Sequence, residues 1–181
     1  MTASGDVRLE ILHRIRNTLV HAWDARGLIV SRTNAFYRIA DLSRPRLELL
    51  GRIPWSLRQW PAHVRLADRV LKHSILQVHG TRSGRWLVAD GHRFWRIDPD
   101  GTAERVTRFS ATRPMNRGIC ESPDGVIYVA DYVANLDRIE PIRIYASTDL
   151  LRFAPVWEFA PGDVRHVHAL IPDPGRRRIW V

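Results

Sequence analysis

Four stretches of this chain repeat one pattern: an apolar run, a tight turn built on Gly or Pro-Asp, a second apolar run, then an aromatic-rich strand, with the fourth stretch the shortest. They read LVHAWDARGLIVSRTNAFYRIAD at 19–41, ILQVHGTRSGRWLVADGHRFWRIDPDG at 75–101, RGICESPDGVIYVADYVANLDRIEPIRIYASTDLLRF at 117–153 and HVHALIPDPGRRRIWV at 166–181. Short strands recurring at a long period cannot bury their apolar faces within one copy. They must stack on neighbouring copies, in a ring or a solenoid.

The third repeat is the most explicit. Strands at 116–121 and 126–131 flank Ser122-Pro123-Asp124-Gly125, where Pro presets φ and Gly takes a positive φ. Further strands follow at 143–148 and 154–159. Four strands with tight turns and a longer return describe one blade of a β-propeller. Second strands beginning near Leu28, Trp86, Val126 and Arg178 set units of 58, 40 and 52 residues, close to the ~40–50 of a blade.

The chain is therefore expected to be all-β: a single incomplete propeller domain over 1–181, with four-stranded antiparallel blades at about 18–53, 75–108 and 116–159. A fourth blade starts at about 165–181. One helical insertion is expected at 61–73, where Val64, Ala67, Val70 and Leu71 recur at helical spacing behind Pro61. Three and a half blades do not close a ring, and closure is what removes open sheet edges. The expectation is an N-terminal part of a six- or seven-bladed ring, with self-association through the open blade edge.

Composition bears on partners. The net charge of +9 would suit a polyanion, but the arginines are scattered through every segment. The one run, RRR at 176–178, falls in a turn. No regular interleaving of aromatics offers bases a stacking platform, so no nucleic-acid partner is expected. No stretch approaches the ~20 apolar residues of a membrane span, so neither is a membrane partner. The first twenty residues carry charges every few positions and show no signal peptide. With a lone cysteine, Cys120, that can form no internal disulfide, a cytoplasmic location is expected. Cys120 itself lies in an apolar strand and suits a small core position.

The polar residues that could carry chemistry gather at blade ends. His166 and His168 are two apart in VRHVHALI, so a strand would put both on one face. Two imidazoles alone fall short of a metal's usual ligand set, and neither a metal nor a cofactor is expected. Arg117 opens the third repeat's first strand, while Asp131, Tyr132 and Asn135 follow its second. Arg117, Asp131, Asn135, Arg165, His166 and His168 are the ligand-binding candidates. Asp98-Pro-Asp-Gly101 and Asp173-Pro-Gly175 are better explained as turns than as phosphate or metal loops. No Gly-rich fingerprint opens a helix, and no Gly-x-Ser-x-Gly is present.

From Arg117 onward, Asp-Tyr-x-x-Asn at 131–135, Arg-Ile-Tyr-x-Ser-x-Asp at 143–149 and Arg-His-x-His at 165–168 resemble the sialidase-like propellers with BNR, or Asp-box, repeats, in particular a bacterial group. The resemblance implies a structural role for Ser147 and Asp149 in a turn between third and fourth strands. Leu151 stands where the box has glycine, and the aromatic comes early, as Phe153. The arginine triad, tyrosine nucleophile and aspartate of true sialidases have no identifiable counterparts here. SPDGVIYVADY also resembles gluconolactonase-like and NHL propellers, through a hairpin common to many folds.

Function stays open between a binding or scaffolding propeller for a carbohydrate or protein ligand and a glycan-directed hydrolase or lyase whose site needs further blades. No catalytic residue is assigned.

Overall fold

The computed structural model describes residues 14–15, 17–55, 75–90, 93–106 and 117–181. The helical insertion expected at 61–73 lies outside the described residues.

Among the described residues, three four-stranded antiparallel meanders and one two-stranded hairpin follow one another along the chain. The first comprises β1 (Leu19–Asp24), β2 (Gly27–Arg32), β3 (Ala35–Ile39) and β4 (Glu48–Arg52). The second is β5 (Ile75–Gly80), β6 (Trp86–Asp90), β7 (Arg93–Ile97) and β8 (Ala103–Arg105). The third is β9 (Ile119–Glu121), β10 (Ile127–Ala130), β11 (Ile142–Ser147) and β12 (Ala154–Phe159), and β13 (Ile171–Asp173) with β14 (Arg178–Trp180) form the fourth sheet. Every sheet pairs its strands in sequence order. First strands lie beside first strands: β1 neighbours β5, and β9 neighbours β13. This is the radial arrangement of propeller blades, and the fold is an all-β, partial propeller.

Alternation along the strands fills both faces of a blade. In β6, Val88 packs towards the first sheet with Ile29, Phe36, Ile53, Val78 and Ile97, whereas Leu87 and Ala89 pack with Phe94, Ile119, Ile127 and Val129 towards the third. The third sheet repeats the device. Its Val129 faces back, and its Ala130, Cys120, Ile142 and Ile144 face forward onto Val167 and Leu170. A period of two along each strand thus serves two interfaces at once. Cys120 sits in this core, and burial pushes its thiol up to about 11, which removes it as a nucleophile.

The turns behave as their residues require. Gly125 adopts φ 85° and donates to Ser122 O at 2.9 Å; Gly101 adopts φ 88° and donates to Asp98 O at 2.9 Å. Asp98-Pro-Asp-Gly101 is a turn between strands, and of the RRR run Arg176 and Arg177 lie in the turn before β14 while Arg178 opens that strand. Between β11 and β12, Asp149 Oδ1 accepts from Ser147 Oγ and from the N–H groups of Leu151 and Arg152, at 3.0, 2.8 and 2.9 Å. Ser147 Oγ accepts from Leu150 N at 2.9 Å. These bonds hold Leu150 at φ 64° and drive its side chain into the core between second and third blades. It is Leu150, and not Leu151, that takes the positive φ.

Blades are also tied by polar contacts. Arg82 N donates to Glu121 Oε2 at 2.8 Å and its guanidinium reaches Ser122 O, so the β5–β6 turn grips the next blade's first strand. Within the first blade His21 Nε2 meets Ser31 Oγ at 2.7 Å, and Ser31 Oγ donates across to Ile75 O of the second blade at 3.3 Å. Burial lowers the His21 pKa from 6.5 to about 4. The folded state resists protonation that the unfolded chain accepts at about 6.5. His21 therefore contributes stability fully above that value, and the contribution is lost as pH falls from about 6.5 to 4, to the extent of roughly 1–3 kcal/mol. Urea melts across that range should show wild type losing this margin and a His21→Gln variant, which keeps a hydrogen-bonding amide, losing less. Equal slopes for the two proteins would exclude the assignment.

Candidate functional site

An antiparallel meander places the start of its first strand and the end of its second at one end of the sheet. In the third blade Ile119 pairs with Val129, so Arg117 and Asp131 come to the same rim. The connection from Asp131 to Ile142 leaves from this rim, and the approach to the fourth sheet, 165–170, arrives there. Arg117 and Ala169 form a parallel bridge, with Leu170 N donating to Arg117 O at 2.7 Å and Val167 N to Asp131 O at 3.4 Å. Five of the six sequence candidates are thereby joined through neighbouring backbone, and Asn135 belongs to the loop between.

The side chains divide into two groups. Asp131 is 5% exposed, and its Oδ2 accepts from Arg143 N at 3.0 Å. Asn135 is 3% exposed and spends both amide ends on the backbone of Glu140, donating to its oxygen at 2.8 Å and accepting from its nitrogen at 3.1 Å. These two shape the loop. The others face outward: Arg117, Arg165 and His168 are exposed and His166 half-buried.

His166 and His168 do not sit in a regular strand; only Ala169 of this segment makes a bridge. The backbone is extended enough to bring the imidazoles together all the same. Their Nε2 atoms are 2.9 Å apart, and the ring centroids 4.5 Å. Tyr132 adjoins both, at 4.5 Å from His166 and 5.8 Å from His168. Partial desolvation, then the charges of His168 and Arg165, lower the His166 pKa. At neutral pH its ring is uncharged, which suits hydrogen bonding in either direction.

The second blade carries a related feature that the candidate set missed. Asp90 ends β6 as Asp131 follows β10, and it is 3% exposed. Arg93 binds it through two nitrogens, at 3.0 and 2.6 Å, and Trp95 Nε1 lies at 3.5 Å. Burial nonetheless raises the Asp90 pKa, outweighing the arginine. The signal was present in the sequence as Val-Ala-Asp at 88–90 and again at 129–131: one position in two blades, each time a buried carboxylate at the rim. Among the described residues, no three His, Cys, Asp or Glu side chains gather to hold a metal, and no helix is long and apolar enough to cross a membrane.

No family model and no curated protein matches the chain. Solved structures do. A catalytically inactive alanine variant of virginiamycin B lyase from Staphylococcus aureus, with quinupristin, is 14% identical with a TM-score of 0.52, over 86% of this chain and 46% of the lyase. The selenomethionine form of the lyase from the same organism gives 15% and 0.48, over 80% and 41%. A streptogramin B lyase gives 12% and 0.45, over 78% and 39%. These lyases are β-propellers, and at such identities the likeness concerns the fold. The chain spans less than half their length.

Proposed function

We propose that this chain is part of a ligand-binding propeller whose rim, at Tyr132, Arg165, His166, His168 and Arg117, takes an acidic carbohydrate. The observation that carries this is the convergence of two imidazoles and a phenol ring, with Nε2 atoms 2.9 Å apart, at the rim end of the third and fourth blades. Imidazoles can hydrogen-bond sugar hydroxyls, and the two exposed guanidinium groups offer planar, bidentate partners for a carboxylate. A rim between blades is also where a ring fold leaves polar groups unpaired by its own sheets. The sialidase-like pattern of residues 117–168 agrees with an acidic sugar as the ligand.

The enzyme alternative has one specific support. A structurally similar lyase is inactivated by an alanine substitution, and a lyase or hydrolase needs a neutral base such as His166 near its substrate. That alternative requires the ring beyond these blades.

The test is titration of the 181-residue chain with N-acetylneuraminic acid, in the presence of EDTA, followed by amide NMR shifts. Binding should perturb residues 131–135 and 165–169, weaken at least tenfold in Arg165→Ala, and fail for a neutral hexose. Equal response to both sugars, or unchanged affinity in the variant, would count against the proposal. Turnover of an aryl sialoside, lost in His166→Ala while binding persists, would favour the enzyme instead.

A further inference from the structure

The histidine pair has a geometry that hydrogen bonding to a sugar does not require. Val167 is buried among Cys120, Ala130, Ile144 and Leu170, which anchors the segment at its middle and turns the flanking imidazoles outward together. Their Nε2 atoms, rather than one Nε2 and one Nδ1, face each other at 2.9 Å. Tyr132 stands against both rings and restricts their rotation.

The separation is informative about what could lie between them. Two nitrogens each about 2.05 Å from one metal ion are about 2.9 Å apart when they subtend about 90°, and about 3.3 Å apart at a tetrahedral angle. The observed spacing is the cis spacing of square-planar or octahedral coordination. Imidazole suits copper and nickel in those geometries. We propose that His166 and His168 form a two-nitrogen chelate for a divalent nickel or copper ion at the propeller rim, its remaining positions open to water or to an anionic group of the ligand.

Both rings would present Nε2 lone pairs and keep their protons on Nδ1, a change of tautomer for whichever ring donates in the metal-free pair. Arg117 and Arg165 are exposed cations of this rim. They oppose a bare dication and favour an anion on it, so affinity for the aquo ion is moderate and the site is adapted to a metal with a carboxylate or similar group bound. This deepens the rim-site proposal and rests on it for what the metal serves.

The experiment is titration of the full chain with nickel chloride alone, by calorimetry, and with copper sulfate alone, by electron paramagnetic resonance, with no sugar present. One ion per chain and hyperfine splitting from two imidazole nitrogens are expected. His168→Ala, at an exposed position, and His166→Ala should each weaken binding at least tenfold with unchanged circular dichroism. Arg165→Ala should bind metal as well as or better than wild type, although it loses the sugar. Absence of binding, one-nitrogen or no splitting, or affinity unchanged in His168→Ala would overturn the proposal and leave the contact a histidine–histidine hydrogen bond. Because the sugar titration runs in EDTA and the metal titration without sugar, either can fail without the other.

Discussion

Replacing Phe36 by alanine is expected to remove much of the domain's stability, about 3–5 kcal/mol. Phe36 is fully buried between the first two blades. It meets Trp86 edge to face, with centroids 5.3 Å apart at 62°, and packs with Ile29, Ile53, Ile75, Val78, Val88 and Ile97. The aromatic pair adds about 0.5–1.5 kcal/mol to what area burial supplies. A domain of ordinary stability has only ~5–15 kcal/mol to lose. Chemical denaturation should therefore show a large drop in midpoint, or the variant should be insoluble, while Phe36→Leu costs much less. A loss below about 1 kcal/mol would mean that first and second blades do not pack through this residue.

The second large effect is expected at Gly27, the first residue of β2. Its φ is 127°, a backbone conformation that side chains rarely adopt. A Cβ there would strike the carbonyl oxygen of Ile39, the last residue of β3, and lie 2.9 Å from the Cα of Ala40 just beyond it, both backbone atoms. Gly27→Ala thus combines an unfavourable φ with a displacement of β3, and about 3 kcal/mol or more is expected. Gly125→Ala makes the control. Its φ is also positive, at 85°, but nothing lies within 4 Å of the added carbon, so the cost should be about 1–2 kcal/mol. Thermal or urea unfolding of the two variants side by side checks the contrast, and equal losses would show that φ alone governs the effect at Gly27.

Much of the architecture was legible in the residues. The alternation of β6 and β10, the Gly and Pro-Asp turns, and the strand at 154–159 are local properties, set by side-chain volume and φ preference within a few residues. Strand ends shifted: the third blade's first strand is Ile119–Glu121 and its second Ile127–Ala130, shorter than expected. Gly118 has no Cβ to pack, and Arg117 pairs with Ala169, on the approach to the fourth sheet, instead of within its own sheet.

The rim was legible in part. His-x-His, Arg117 and Arg165 announce an outward-facing polar cluster, and they remain outward. Asp131 and Asn135 look equally polar in the sequence, yet both are turned into the loop, because a connection that leaves a sheet must satisfy its own backbone groups. Asp90 escaped notice because its partner Arg93 is supplied by a hairpin whose closeness is conformational.

What this sequence determined by itself is a repeated, two-faced strand pattern with turns at fixed places, hence blades that must stack on one another. What only the tertiary structure decided is which polar groups meet and which are consumed. Tyr132 and His166 are more than thirty positions apart and touch because two blades share one rim. Strand pattern is a matter of short-range sterics and hydrophobic periodicity, whereas the imidazole pair, the buried Asp90 and the loop-bound Asn135 depend on how blades approach one another, and no local rule encodes that distance.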